Sequence, residues 1–410
     1  MMMPRTLSLT EYKPATFSAD EISGAEGEAL WRQYQKKVLV EFPSPITKGQ
    51  WRLSSQGWVG HLPVTPEFGL RIQPRVALRN LFGMLDYAYR LRSIHFLQGL
   101  IDCESLEGFF ERLVSIVASR ASDRIRKGLH REYVSISDRS PFVRGRVDLE
   151  SQLRRPWMVE VDCDFDEHTA DLHENQILAW TLWRAMRTGL CGEPVLQSVR
   201  KVLRAMISVV SLIPTASHNC VMRKYHRLNE DYRPIHALCR LILENVGPSH
   251  EIGQHQMLPF LVNMGHLFEL FVAEWLSANI DAKYTCQPQQ RVQVGDAGDL
   301  EFRIDIVICD TATMRPLCVV DTKYKIPDRP SQADIAQAVT YATIKGCREA
   351  VLVYPKRLDR PVDVLIGQIR VRSMMFSLEC DLDVEGRRLL IELLGGGVTL
   401  SRESSPQNEG

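Results

Sequence analysis

Hydrophobic and polar residues alternate most regularly in the last third of the chain, on both sides of Asp305. Even-numbered residues from 302 to 308 are all apolar, whereas Arg303 and Asp305 are charged. This period of two predicts a strand with one buried face. A second strand is predicted over residues 317–325, which places Asp321 and Lys323 on one face because side chains two apart in a strand point the same way.

After these strands the pattern changes to helical spacing, between residues 331 and 346. Ser331 with Asp334 predicts a capping box that opens a helix, and Gly346 predicts its end. Gln337 and Tyr341 are one turn apart and therefore share a face of that helix. Two carboxylates, a lysine, an amide and a phenol can converge at one edge of a small sheet.

This combination of side chains is suited to phosphodiester hydrolysis. Two carboxylates on adjacent strands can hold Mg²⁺ beside a scissile phosphate, where the metal lowers the pKa of a bound water and neutralises charge on the phosphate. Lys323 can orient that water or stabilise the pentavalent transition state. The alternative is a surface hairpin with an ordinary Asp–Lys pair. The ordered set, with strand alternation and Gln-x-x-x-Tyr on the next helix, favours the nuclease.

At these residues the chain resembles the PD-(D/E)xK nucleases, and among them it resembles most the McrC family, the nuclease subunit of McrBC-type modification-dependent restriction systems. The Gln337 and Tyr341 pair is similar to the Gln-x-x-x-Tyr element of the RecB-like branch. Ile304 stands where a proline commonly precedes the first aspartate, but that proline is not a metal ligand. Further stretches also resemble McrC proteins: residues 57–60, 80–85, 143–148, 171–178 and 227–232.

The resemblance implies a Mg²⁺-dependent DNA endonuclease, with Mn²⁺ as an alternative ion. The implied metal ligands are Asp305, Asp321, the Thr322 carbonyl and Glu269. The implied catalytic residues are Asp305, Asp321, Lys323, Glu269, Gln337 and Tyr341. Glu269 lies inside an apolar helix predicted over residues 264–280, where an unpaired charge would be costly. The resemblance assigns it the acidic position that faces the metal; the alternative is a glutamate on the helix surface.

The resemblance also implies a partner, a McrB-like AAA+ GTPase that recognises modified DNA and translocates. The chain carries no nucleotide-binding loop of its own, because the glycines at 295 and 298 are not followed by Gly-Lys-Ser/Thr. The implied substrate is methylated double-stranded DNA. Two other functions are considered: a non-catalytic scaffold that activates the motor, and a stand-alone repair nuclease. The intact Asp305, Asp321 and Lys323 favour catalysis, and the long McrC-like N-terminal region argues against the stand-alone enzyme.

The whole chain is predicted to be an α+β multidomain protein. Residues 1–90 predict a β-rich N-terminal domain, because short apolar runs alternate with Gly and Pro. Trp51 and Trp58 fit core or rim aromatics there, or a surface that contacts DNA or a partner. Residues 251–400 predict a C-terminal α/β PD-(D/E)xK restriction-endonuclease-like domain with a mixed sheet, and residues 401–410 a disordered tail.

Residues 91–250 predict a mainly helical middle domain, with an amphipathic helix over residues 106–127. Arg120, Arg124 and Lys127 on its last turns fit a solvated face, and contact with phosphate is the alternative. His168 and His173 lie near acidic residues but match no standard metal-ligand spacing, so they are interpreted as polar surface residues or residues at the start of a helix.

Charge and cysteine content narrow the choice of partners and compartment. Lys plus Arg and Asp plus Glu both number 50, so the net charge is zero, unlike a typical nonspecific nucleic-acid binder. Any DNA contact must therefore be local or shared with a partner. Ten cysteines without a CxxC pair predict reduced thiols in a cytoplasmic protein and argue against an iron–sulfur nuclease with a cysteine quartet. Apolar runs of transmembrane length and a signal-peptide core are both missing, so no membrane association is predicted.

Overall fold

The structure is a computed structural model that describes residues 5–91, 103–155, 157–221, 223–247, 258–294, 300–325 and 327–395. Its elements form two compact units. The first unit contains the described residues of 5–106 and 259–395, and the second contains those of 107–247 together with Leu258.

The N-terminal part of the first unit is built mainly of short strands. Its elements are β1 (Arg5–Thr10), β2 (Ala15–Phe17), α1 (Gly24–Tyr34), β3 (Val38–Glu41), β4 (Trp51–Ser55), β5 (Trp58–Thr65), β6 (Phe68–Gln73) and α2 (Leu78–Ala88). Strands β2, β4 and β3 form one antiparallel sheet, and β1 pairs in parallel with β6, which pairs antiparallel with β5. Trp51 is buried in the core between these strands and Trp58 packs against that core, so both are structural aromatics.

The second unit combines helices with a sheet. Its elements are α3 (Leu106–Lys127), β7 (Glu132–Ser140), β8 (Arg146–Val147), α4 (Leu149–Arg154), β9 (Val161–Thr169), α5 (His173–Met186), α6 (Glu193–Ile207), a 3₁₀ turn (Ser217–Cys220) and α7 (Tyr232–Asn245). Helix α3 has the predicted bounds. The middle region is less helical than predicted, because β7, β9 and β8 form a three-stranded antiparallel sheet. Most residues of β7 are exposed, so the strand lacks the alternating pattern that would have predicted it.

A buried polar network holds the base of this sheet against the helices of the second unit. The Tyr232 hydroxyl donates to Asn175 Oδ1 at 2.6 Å and accepts from the His130 amide at 3.0 Å. The Asn175 amide donates to the carbonyls of His130 and Ala170. Arg124 donates to the Tyr232 hydroxyl and pairs with an aspartate on the same unit, so it has a structural role. Buried polar groups are stable only when they are satisfied in this way.

The C-terminal part of the first unit contains the predicted α/β arrangement. Its elements are β10 (Phe260–Asn263), α8 (Met264–Asn279), β11 (Tyr284–Val294), β12 (Leu300–Asp310), β13 (Pro316–Thr322), α9 (Gln332–Lys345), β14 (Glu349–Tyr354), β15 (Asp363–Ile366), β16 (Ile369–Met375) and α10 (Leu382–Leu394). A six-stranded mixed sheet has the order β11-β12-β13-β14-β16-β15. Strand β13 is antiparallel to β12 and parallel to β14.

Helix α9 begins and ends where the sequence predicts. The Ser331 side chain accepts from the Asp334 amide, and the Asp334 carboxylate accepts from the Ser331 amide, which completes the capping box. Gly346 ends the helix in the left-handed conformation at φ 67°, which glycine adopts without strain. The buried Ala338, Tyr341 and Ala342 of α9 belong to the hydrophobic core shared with β12, β13 and β14.

The N-terminal and C-terminal segments were predicted as separate domains, over residues 1–90 and 251–400, but in the structure they share one compact unit. Strand β10 adds to the N-terminal sheet by pairing antiparallel with β5. Helix α2 packs against α8, and Asn80 donates to the carbonyls of Leu378 and Cys380. The Asp383 carboxylate accepts from the Tyr87 hydroxyl and from the Trp275 indole. Strand pairing and helix packing therefore join the two segments.

Two predicted features lie outside the described residues: the turn at 295–299 and the tail at 401–410. Within the part of the chain that the structure describes, no helix combines the length and the apolar character needed to span a membrane.

Candidate active site

The two predicted aspartates lie on neighbouring strands, because β12 and β13 form a hairpin. The register that pairs Ile306 with Val320 places Asp305 opposite Asp321. Asp305 Oδ2 accepts hydrogen bonds from the Thr322 amide at 2.8 Å and from the Thr322 hydroxyl at 2.9 Å. These bonds fix the orientation of the Asp305 carboxyl group across the strand pair.

Lys323 connects the strands to helix α9. Strand β13 ends at Thr322, earlier than predicted, and Lys323 follows directly, with its amide donating to the Val353 carbonyl at 2.9 Å. Lys323 Nζ lies 2.7 Å from Asp321 Oδ2 in an ion pair and donates to Gln337 Oε1 at 2.8 Å. Gln337 Nε2 donates in turn to the Tyr341 hydroxyl at 2.7 Å. Four of the predicted side chains thus form one continuous chain of contacts.

These residues line an open cleft of about 440 Å³. The cleft brings together all seven residues singled out from the sequence: Glu269, Asp305, Asp321, Thr322, Lys323, Gln337 and Tyr341. Its remaining lining residues are Tyr12, Gly265, Arg303, Tyr324, Lys325 and Asp334.

The carboxyl groups in the cleft disfavour each other's ionisation. Burial, followed by the charges of Asp321 and Glu269, raises the pKa of Asp305 to about 7, despite the bonds from Thr322. Burial also raises the pKa of Asp321, which is only 1% exposed, although the Lys323 ammonium acts in the opposite direction. Strongly perturbed carboxyl groups in a cleft are typical of functional sites.

The lysine remains charged in these surroundings. Burial acts to lower the pKa of Lys323, but the carboxylates of Asp321, Asp305 and Asp334 outweigh it and the pKa is raised. A positive charge is therefore held at the cleft by the surrounding carboxylates. Burial raises the pKa of Tyr341, so its hydroxyl keeps its proton and can serve as a hydrogen-bond partner for Gln337.

Glu269 faces the cleft from helix α8, although three neighbours hold it. Its Oε1 accepts from Gln289 Nε2 at 3.2 Å and from Arg303 at 3.4 Å, and its Oε2 lies 3.4 Å from His266 Nδ1. Burial acts to raise the pKa of Glu269, but His266, Arg303 and Gln289 outweigh it, so the pKa is lowered and the group is an anion. It is not simply a surface glutamate, since its side chain is only 16% exposed.

Gln289 is a site residue that sequence reasoning missed. It lies on β11 between the residues that pair with Ile304 and Ile306, so it is opposite Asp305. Its φ of 48° is in the left-handed region, which is uncommon for a residue other than glycine. An isolated glutamine in a polar strand carries no sequence signal, and only the register of β11 with β12 reveals its position.

The N-terminal segment supplies part of the cleft wall, which the sequence also did not predict. The Tyr12 hydroxyl donates to the Tyr324 carbonyl at 3.3 Å, and the Tyr324 hydroxyl donates to Glu11 Oε1 at 2.7 Å. Glu11 Oε1 also accepts from the Arg75 amide at 2.8 Å. Burial raises the pKa of Glu11, against the lowering effect of these hydrogen bonds. The residue next to the predicted catalytic lysine is therefore anchored to the N-terminal strands.

The donor set of the cleft fits a hard divalent cation. Glu269, Asp305 and Asp321 supply carboxyl oxygens, which suit Mg²⁺ or Mn²⁺. Asp321 Oδ2 is buried, and within the described part of the chain it accepts no hydrogen bond beyond its ion pair with Lys323. A cation would relieve the repulsion that raises the pKa of Asp305. Thr322 also lines the cleft, where it supports Asp305.

The histidines considered from the sequence, His168 and His173, belong to no cluster of metal-ligating side chains among the described residues. One cluster of that kind occurs in the second unit, with His130, Glu132 and His226. Its geometry favours hydrogen bonds over a metal. His226 Nδ1 accepts from the Leu228 amide, so the neutral ring carries its proton on Nε2, the atom that faces Glu132.

Comparison with known protein families places the chain among restriction-system components. A family model described as McrBC 5-methylcytosine restriction system component matches residues 53–355, which is most of the chain. The chain therefore belongs to the McrBC family, as its resemblance to this group predicted.

Solved structures give similar folds. A chain of the refined half-complex from a tetradecameric assembly of Thermococcus gammatolerans McrB AAA+ hexamers with bound McrC matches with a TM-score of 0.55 and 18% identity, over 95% of this chain and 100% of that chain. A chain of the cryo-EM structure of the Thermococcus gammatolerans McrBC complex matches with a TM-score of 0.43 and 20% identity, over 66% and 87% of the two chains. A search of curated proteins found no match.

Proposed function

We propose that this protein is the McrC-type subunit of a McrBC-like restriction system and acts as a Mg²⁺-dependent DNA endonuclease. The observation that carries the proposal is the convergence of Asp305, Asp321 and Lys323 with the Gln337 and Tyr341 pair in one cleft. The hairpin of β12 and β13, the parallel β14 and the crossing helix α9 are consistent with a PD-(D/E)xK fold. Family membership supports the same system.

Asp305 and Asp321 are the proposed ligands for the metal, with Glu269 and the Thr322 carbonyl as further oxygen donors. A bound Mg²⁺ would activate a water and neutralise charge on the scissile phosphate. The Thr322 amide and hydroxyl hold the Asp305 carboxylate in a fixed orientation, which limits the reorganisation needed when substrate binds. Opposite positions on neighbouring strands give the two aspartates a rigid spacing.

Lys323 is the proposed electrostatic catalyst. Its ammonium can donate to the attacking water or to an oxygen of the phosphate, and its raised pKa keeps it charged at neutral pH. Gln337 accepts one of its three N–H groups and Asp321 attracts another, which leaves one for the substrate. Tyr341 positions Gln337 and therefore acts on the lysine only indirectly.

The proposed partner is a McrB-like AAA+ GTPase, and the proposed substrate is methylated double-stranded DNA. The structural relative with a TM-score of 0.55 is described as a complex of McrB AAA+ hexamers with bound McrC. We place the docking surface for the motor on the segment between β7 and β9, called the arm tip. Six large apolar residues are exposed there: Phe142, Val143, Leu149, Leu153, Trp157 and Val159.

The exposure of these side chains supports a protein partner. Leu153 is 81% exposed and Val159 is 87% exposed, although both lie in a short segment with four other exposed apolar residues. Clustered exposed apolar residues mark interaction surfaces more often than isolated ones do. The arm tip belongs to the second unit, whereas the cleft belongs to the first. Docking and cutting are therefore assigned to separate surfaces.

The test is to assay both activities with one preparation of a Lys323→Ala variant. DNA cleavage in the presence of the GTPase partner should fall by about 10²–10³, the typical cost of losing one preorganised donor. Stimulation of the partner's GTPase should remain at the wild-type level, because Lys323 lies in the cleft and the docking residues lie elsewhere. Circular dichroism verifies that the variant is folded. The matched control is Lys283→Ala, an exposed lysine outside the cleft.

The two rival functions give different results. A non-catalytic activator would stimulate the GTPase but show no metal-dependent cleavage even as the wild-type chain. A stand-alone repair nuclease would cut DNA at full rate without the GTPase. If both activities collapse together in folded Lys323→Ala, the separation of docking from cutting is wrong.

A further inference from the structure

A second cleft of about 380 Å³ adjoins the candidate active site. It shares Tyr12, Tyr324 and Lys325 with the first cleft. Its other lining residues come from the segment before α2, from the loop after β14 and from the segment before α10: Arg75, Val76, Ala77, Pro355, Lys356, Leu378 and Glu379. We call it the flanking cleft.

We propose that the flanking cleft binds the sugar-phosphate backbone of the DNA strand next to the phosphate that is cut, with Arg75 and Lys356 as the phosphate-binding residues. This inference rests on the proposed nuclease function, because it extends the path of the same substrate. It also gives the N-terminal β-rich segment a direct role in holding DNA, since Arg75 and Tyr12 come from that segment.

The flanking cleft is continuous with the candidate active site. Tyr12, Tyr324 and Lys325 line both clefts, so a strand whose scissile phosphate lies near Asp321 can pass directly into the second space. Tyr324 and Lys325 follow Lys323 in the chain, so the boundary between the clefts is immediately beside the proposed catalytic lysine. A nuclease must hold more than one phosphate of its substrate, because contacts to the backbone fix the register of the DNA.

The flanking cleft carries positive charge that is available to a phosphate. Among the described residues, the Arg75 guanidinium makes no side-chain hydrogen bond or ion pair; it lies over the Tyr12 ring, 5.9 Å from the centroid. Lys356 Nζ is 3.7 Å from Glu379, and both side chains are more than half exposed, so this pair is weak and easily exchanged for a phosphate. Lys325 is already paired with Asp334 at 2.7 Å and is therefore not assigned a phosphate.

The boundary between the two clefts is held rigidly. Tyr12 has a φ of 55°, a left-handed conformation that a tyrosine adopts only where its surroundings enforce it. Its hydroxyl bonds to the Tyr324 carbonyl, and its ring packs near that of Tyr324 with centroids 6.4 Å apart. Gly57 leaves room for this hydroxyl, since a Cβ there would lie 2.5 Å from it. Strained residues held in this way are concentrated at functional sites.

Because the net charge of the chain is zero, the positions of Arg75 and Lys356 indicate where DNA can bind. With equal numbers of acidic and basic residues, the protein has no general attraction for DNA, so affinity must come from particular cations. The candidate active site itself is acidic, since four carboxyl groups line the cleft: Glu269, Asp305, Asp321 and Asp334. Arg75, which makes no side-chain hydrogen bond or ion pair among the described residues, and the weakly paired Lys356 lie next to this acidic cleft, where they can hold the phosphates beside the cut.

The experiment compares DNA binding by the full chain and by a double variant, Arg75→Ala with Lys356→Ala. The control is Arg32→Ala with Lys36→Ala, which removes the same charge from exposed residues of the first unit that line neither cleft. A fluorescent DNA duplex is titrated with protein, without divalent ions, over a series of salt concentrations. Binding does not require cleavage, so the result is independent of catalysis.

We expect the double variant to bind about 10–100-fold more weakly, because each lost charge-assisted contact weakens binding by about ten-fold. The slope of log affinity against log salt should become shallower by about 1.8, since each phosphate contact contributes about 0.9. The control variant should keep the wild-type affinity and slope. Circular dichroism and thermal unfolding establish that both variants are folded.

Three results overturn the proposal: no duplex binding by the wild-type chain, wild-type affinity and slope in the double variant, or an equal loss in the control variant. Failure of the nuclease function gives a different pattern. In that case either the wild-type chain would show no metal-dependent cleavage, or Asp305→Asn would cut DNA as fast as the wild-type chain, whatever the binding data show for the flanking cleft.

Discussion

Replacing Asp305 with asparagine should stabilise the metal-free protein and remove its stabilisation by Mg²⁺. Asparagine has nearly the same shape, and its carbonyl oxygen can still accept the two hydrogen bonds from Thr322. The substitution removes one negative charge from a cleft that also holds Asp321 and Glu269. Loss of this charge relieves repulsion but deprives a cation of a ligand.

The size of the effect follows from the pKa of Asp305. Burial and the neighbouring carboxylates raise this pKa from 3.8 to about 7. Between these values the folded protein retains a proton that the unfolded chain has lost, so the free energy of unfolding decreases as the pH rises through this window. Above pH 7 Asp305 is ionised in the folded protein as well, and the full cost of burying its charge is subtracted from the free energy of unfolding. At 1.36 kcal/mol per unit the whole shift corresponds to about 4 kcal/mol. Because Asp305 and Asp321 titrate together, part of this cost belongs to the pair. Replacing Asp305 with asparagine should therefore raise the free energy of unfolding by about 2–4 kcal/mol.

Magnesium should stabilise the wild-type chain but not the Asp305→Asn variant. At a concentration ten times its dissociation constant, a ligand of the folded state adds about 1.4 kcal/mol to the free energy of unfolding. The wild-type chain should gain this amount at pH 8 and the Asp305→Asn variant should not. In EDTA the variant should unfold at a higher temperature than the wild-type chain, because it recovers about 2–4 kcal/mol. The difference is about 4–16 °C if 1 kcal/mol corresponds to about 2–4 °C.

Thermal unfolding at pH 8, in EDTA and in MgCl₂, measures both effects. Glu301→Gln is the control, because it removes a carboxylate that lies on the same strand but is exposed and outside the cleft. The reasoning is refuted if Asp305→Asn is less stable than the wild-type chain in EDTA, or if it keeps the full response to Mg²⁺.

Two further predictions concern the contacts of Lys323 and the arm tip. Gln337→Ala should lower the rate of DNA cleavage by about ten-fold, because Lys323 loses its 2.8 Å hydrogen bond but keeps its ion pair with Asp321; wild-type rates in single-turnover cleavage assays would contradict this. Replacing Phe142 and Trp157 together with serine should abolish stimulation of the partner's GTPase, since exposed aromatic side chains supply much of an interface's binding energy. The response of the melting temperature to Mg²⁺ should be unchanged in that variant, and unchanged stimulation would exclude the arm tip as the docking surface.

The arrangement of the candidate site could be predicted from the sequence because it depends on short-range spacing. Asp305 and Asp321 lie on consecutive strands joined by a tight connection, so the alternating pattern places them near each other. Gln337 and Tyr341 share a face because they are one helical turn apart. Residues 302–308 were expected to bury one face only, but Ile306, Val307 and Ile308 are all buried, as in a central strand covered on both sides.

The rest of the structure depends on contacts that no local pattern reports. Tyr12 reaches the cleft by bonding to a residue 312 positions away in the chain. The pairing of β10 with β5 joins segments that the sequence assigned to different domains. Strand β7 is exposed on both faces over most of its length, and β9 buries only Cys163, so hydrophobic periodicity could not predict either strand.

The central claim is that this cleft cuts DNA with the aid of a divalent metal, and the most direct measurement is the cleavage rate of an Asp321→Asn variant. The assay contains the GTPase partner, GTP, Mg²⁺ and a methylated DNA duplex. Cleavage should fall by at least about three orders of magnitude, because a metal supplies several kcal/mol of transition-state stabilisation. GTPase stimulation, measured in the same tubes, should remain at the wild-type level. Cleavage at the wild-type rate by folded Asp321→Asn would contradict the account.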